Sequence, residues 1–130
     1  MNKLRYFSDY TYAALRFMTG WMFAFHGVQA LFGVLAPAQM PPLTFGSQMW
    51  FGGVIELLCG ALIALGIKTR EAAFIASGTM AVAYIQFHWK FQFNSAFFPA
   101  VNQGELSVLY CFLFLYFACH GSGKFALGRD

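Results

Sequence analysis

Four apolar runs, at about 10–36, 47–66, 71–89 and 105–121, occupy most of the chain, and each is close to the roughly 20 residues a helix needs to cross a bilayer. Short segments rich in Gly, Pro, Lys and Arg separate them. Such runs are long for the core helices of a small soluble domain, and charge is too scarce to solvate one. Hydrophobic residues make up 59% of the chain and charged residues 10%, where ordinary soluble domains are about a quarter charged. Disorder is excluded by 17 Phe, 6 Tyr and 3 Trp in 130 residues. The pattern predicts an all-α fold: one domain over residues 1–130, an integral-membrane four-helix bundle.

Basic residues orient it. Lys3 and Arg5 precede the first run, Lys68 and Arg70 join the second to the third, and Lys124 and Arg129 follow the fourth, whereas the opposite face carries only Lys90. The positive-inside rule therefore places both termini in the cytoplasm. The formal charge of +3 describes orientation and gives no reason to expect a nucleic-acid partner. The first run, with Ala36 and Ala38 at its end, has some marks of a signal peptide. Its length and its Arg16, Trp21, His26 and Gln29 make an uncleaved helix the better expectation.

Local chemistry predicts the connections. Gly66 suits the left-handed position that ends a helix, so the second and third runs should form an antiparallel hairpin about residues 66–70. Pro37, Pro41 and Pro42 remove amide donors and predict an extended outer loop. Residues 90–104 mix Phe91, Phe93, Phe97 and Phe98 with Gln92, Asn94 and Pro99, a composition suited to a membrane interface. Cys59, Cys111 and Cys119 lie in apolar stretches without metal-ligand spacing, so they read as small buried hydrophobes, and no metal site is expected.

Polar groups inside the runs carry most of the functional information, since an ionisable residue at a helix centre costs about 2.5–3.5 kcal/mol in lipid. Glu56 sits mid-run between Gly52 and Gly60, which leave room for another helix or a flat ligand. A structural pairing role and a ligand or proton role are equally open to it. At 1.5 Å per residue, Arg16 and Glu56 fall at similar depths on antiparallel helices, which predicts an ion pair; snorkelling of Arg16 to the headgroups is the alternative. His26 and Gln29 share the outer depth of Tyr84 and His88, so a polar pocket formed by these four is expected. Two histidines at one depth allow haem ligation in principle, but no further spacing supports it, and haem ranks well below the other readings. Asn102 is placed to cap the last helix with Glu105 at the third helical position, and Glu105 also faces the zone of His88.

Several phrases, in order, resemble the DoxX family of small four-span membrane proteins. They are Leu15-Arg16 with Phe25-His26-Gly27 and Gln29; Gly53-Val54-Ile55-Glu56-Leu57 with Gly60; Leu65-Gly66-Ile67-Lys68-Thr69-Arg70 with Ala72-Ala73; and Asn102-Gln103-Gly104-Glu105-Leu106. Gln103 stands where the family phrase carries a second Gly. The resemblance implies a four-helix bundle in a prokaryotic cytoplasmic (inner) membrane, and some members look like subunits of membrane oxidoreductases linked to quinone.

The chain has no dinucleotide fingerprint or metal cluster, so it is not expected to catalyse two-electron chemistry alone. The leading expectation is a small subunit or accessory protein of a quinone-linked redox system. Quinone would be its bound cofactor, with no covalent one, and its partners would be membrane lipids and a catalytic redox protein. Arg16, His26, Gln29, Glu56, Tyr84, His88 and Glu105 are the candidate ligand or proton-site residues. A noncatalytic binder of lipid or hydrophobic metabolites, or an assembly protein, is the alternative. A homo-oligomer acting as a small transporter or channel ranks last, because paired interrupted helices are missing.

Overall fold

The structure is a computed structural model, and it describes residues 2–40, 43–128 and 130. Pro41 and Pro42 of the expected outer loop, and Arg129 of the basic set, lie outside the described residues. The described chain is all-helical. A 3-10 turn, Asn2–Phe7, leads into α1 (Ser8–Phe32), followed by α2 (Gln48–Leu65), α3 (Thr69–Ala83), the single turn α4 (Pro99–Asn102) and α5 (Glu105–His120). A π-helical turn, Tyr84–Trp89, prolongs α3.

Local chemistry sets the helix ends. The Ser47 hydroxyl accepts the Trp50 amide at 3.2 Å and starts α2. Gly66, at φ +70°, ends it where the turn chemistry predicts. The first helix stops short of the expected 36, because Gly33 turns left-handed at φ +67° and donates its amide to the Gln29 carbonyl. The expected capping box at α5 is not formed. Gly104 is the N-cap, and Glu105 is the first helical residue rather than the third. The physical reason is the extra turn α4 and the left-handed Gln103 (φ +60°), which come between Asn102 and the helix. Asn102 instead accepts the Gly104 amide on its side-chain oxygen at 2.8 Å.

α1 and α2 run antiparallel at backbone contact, since a Cβ on Gly20 would lie 2.6 Å from the Gly60 carbonyl and one on Gly27 the same distance from the Gly53 carbonyl. Two pairs of glycines, each seven residues apart, thus form a seam; at Gly20, Gly27 and Gly60 only a hydrogen atom fits, while a Cβ on Gly53 would meet the Leu31 side chain at 3.2 Å. α3 lies along α5 and touches α2, and Phe23 of α1 meets Phe114 of α5 at a ring separation of 4.6 Å. The core is filled by Phe23, Ile63, Ala73, Ala76, Phe114 and Phe117.

Beyond α5 the chain folds back against the helix ends beside the Gly66 turn. Leu127 and Gly128 donate their amides to the carbonyls of Leu65 and Gly66. Arg16, only 1% exposed, donates to the carbonyls of Ser122 (2.5 Å) and Phe125 (3.0 Å), and the Tyr12 hydroxyl donates to that of Gly121. Asp130 accepts the amide and hydroxyl of Ser122, at 2.6 and 2.8 Å. Thr69 in turn donates to the Ser122 hydroxyl oxygen at 2.9 Å. Arg70 adds a 3.8 Å ion pair to Asp130 and donates to the carbonyls that end α5. The last turn of α5 therefore has its free carbonyls satisfied by a side chain from α3.

Candidate functional site

Between α2 and α3, with α1, Met40 and Leu43 at one edge, lies a groove of about 610 Å³. That volume is within the ordinary range of small-molecule sites. Two glycines open it: a Cβ at Gly52 or Gly78 would meet nothing within 4 Å. Its walls are apolar, from Met49, Phe51, Ile55, Met80, Val82 and Phe87 among others, and its polar side chains are His26, Gln48, Glu56 and Thr79.

Two of those four are already engaged. Thr79 donates back to the Ile75 carbonyl at 2.9 Å, and Gln48 donates to the Gln86 side chain at 2.6 Å. His26 and Glu56 have no hydrogen-bond or ion-pair partner among the described residues. The glycine seam sets their approach, because the close fit of Gly27 on Gly53 and Leu57 carries the neighbouring His26 to the α2 segment that bears Glu56.

The expected Arg16–Glu56 ion pair is not formed. The Arg16 side chain turns toward the segment after α5 and is held there by the Ser122 and Phe125 carbonyls, away from the groove. The four expected residues of the outer pocket also separate. Only His26 reaches the groove. Gln29 donates to the Leu35 carbonyl at 2.9 Å and ties down the chain leaving α1.

Tyr84 and His88 stack on the π turn and form a second cluster with Asn102. His88 donates through Nδ1 to the Asn102 carbonyl (3.2 Å), and this bond sets its tautomer. The Asn102 amide donates to the Tyr84 oxygen (3.1 Å), whose proton goes to the Phe97 carbonyl. These bonds hold the 94–104 segment, and the cluster braces that loop. Glu105 is exposed in the first turn of α5 and joins neither group.

Comparison with known proteins places the chain. The DoxX family pattern matches residues 11–89, more than half of its length. This chain belongs to the DoxX family. A protein of Haemophilus influenzae described as uncharacterized is similar at 40% identity over 128 residues, covering 98% of this chain and 95% of that one. No solved structure matches it. All the groove-lining residues, from His26 to Phe87, fall inside the DoxX match.

Tyr110 of α5, beyond that match, is one residue that periodicity passed over. It is 5% exposed, its hydroxyl has no hydrogen-bond partner, and it lies within electrostatic range of Glu56. One sign was available in the sequence: a tyrosine in the apolar run of α5 needs a partner for its hydroxyl wherever it is buried.

Proposed function

We propose that this DoxX protein spans a prokaryotic cytoplasmic membrane with both termini inside, and serves as a small subunit or accessory protein of a quinone-linked redox system. The groove holds the quinone head beside Glu56 and His26, with the tail along the apolar walls of α2 and α3. Support for the membrane comes from α2, which is long and apolar enough to cross one, and from large apolar side chains left exposed around the bundle. Leu58, Phe74, Leu109 and Phe112 are each more than half exposed, and Trp21 is 58% exposed. Water would penalise such a girdle and lipid would not.

The observation that carries the ligand reading is the groove itself, an apolar slot whose unengaged polar side chains are one carboxyl and one imidazole. It matches a ligand with a flat polar head and a long apolar tail. Electrons must come from a catalytic partner, and the contribution of this chain is to bind and orient the head. Native mass spectrometry of the detergent-extracted protein tests the reading. Quinone should be released from the wild type and markedly less from Glu56→Gln. A phospholipid in its place would move the assignment to the noncatalytic lipid-binding alternative.

A further inference from the structure

Counted by hydrogen-bonding capacity, the unengaged groups of the groove are rich in acceptors. A carboxyl group offers up to four lone-pair sites and at most one proton, and a neutral imidazole offers one of each. The donors that could have met them, the Thr79 hydroxyl and the Gln48 amide, are directed to Ile75 and Gln86. Among the described residues, no lysine or arginine lines the groove. Glu56 is half-buried and His26 lies open at the groove edge. In lipid a polar group without a partner is costly, and a ligand that supplies what is missing is favoured over an equally shaped one that does not.

Resting on the quinone-site reading above, we infer that the groove prefers a head group that donates hydrogen bonds, and so binds the reduced, dihydroxy form of its ligand more tightly than the quinone. One ligand hydroxyl donates to the Glu56 carboxyl, and His26 receives or supplies a second hydrogen bond at the groove edge. A product-like preference of this kind suits a subunit that receives quinol from a quinone-reducing partner.

The test uses the whole chain in lipid nanodiscs and three probes with the same decyl tail: a benzohydroquinone, the corresponding benzoquinone, and the bis-methyl ether of the hydroquinone. Dissociation constants are measured under anaerobic conditions. The hydroquinone should bind roughly tenfold or more tightly than either of the others, the ratio expected for one hydrogen bond to a carboxyl group. Glu56→Gln should bring the three constants within about threefold of one another. If all three bind alike in the wild type, the donor preference is overturned and the quinone-site reading stands. If none binds, both are overturned. Should Glu56→Gln not fold, His26→Ala carries the same comparison, and an unchanged ratio overturns the assignment.

Discussion

Arg16 is held by main-chain oxygens alone, and this makes it a different kind of buried charge from one half of an ion pair. Losing it strands the Ser122 and Phe125 carbonyls, and hydrogen bonds to a charged group are worth about 1.5–3 kcal/mol each. Arg16→Gln should therefore lower stability in detergent by about 2–4 kcal/mol, as read from thermal unfolding. Combined with Glu56→Gln its effect should be additive within about 0.5 kcal/mol, since the two side chains share no partner. Depth along a helix was legible in the sequence and placed Arg16 level with Glu56, but depth says nothing about a later segment returning to compete for the guanidinium. Gln103 shows the converse. Its φ of +60° is a left-handed conformation that glycine adopts without strain. Gln103→Gly should stabilise by about 0.5–1 kcal/mol in the same assay.

Among the helices, the seam between α1 and α2 and the groove between α2 and α3 both depend on missing side chains, with opposite consequences. At Gly20, Gly27 and Gly60 an added methyl would meet backbone atoms, which cannot move aside. Gly20→Ala should cost about 1–3 kcal/mol through overpacking, measured as a lower unfolding temperature. At Gly78 the same change enters open space. Gly78→Ala should be neutral or stabilising, and Gly78→Leu should fold yet block the decyl-tailed probes by filling the groove. Glycine spacing suggested a narrow face around Glu56 from sequence. Which glycines touch backbone and which open a cavity depends on the rotation of each helix about its own axis, and periodicity within one helix does not supply it.

For the molecule as a whole, the segment after α5 acts as a clasp that joins α1, the α2–α3 turn and the end of α5. Asp130 closes it. Burial alone would raise its pKa, but hydrogen bonds from the Ser122 amide and hydroxyl and the Arg70 amide outweigh that effect and hold it below the ordinary 3.8. A carboxyl lowered by folding stabilises the fold above its unfolded pKa and loses that contribution as pH falls through the lower, folded value. The clasp should therefore be intact from neutral pH down to about 4 and open on further acidification. Amide exchange at Ser122 would report the opening, and Asp130→Asn should show faster exchange at neutral pH with no acid transition. The sequence by itself determined the four long helices, the hairpin at Gly66 and the family, and it named His26 and Glu56 among seven candidates, of which these two line the groove. These follow from local periodicity, turn chemistry and the cost of burying polar groups. Only the tertiary structure decided that Arg16 serves the clasp, that Tyr84, His88 and Asn102 brace a loop, and that Tyr110 is buried in the core. Each of these depends on which helix faces which and on where a returning segment lies, and long-range packing sets both.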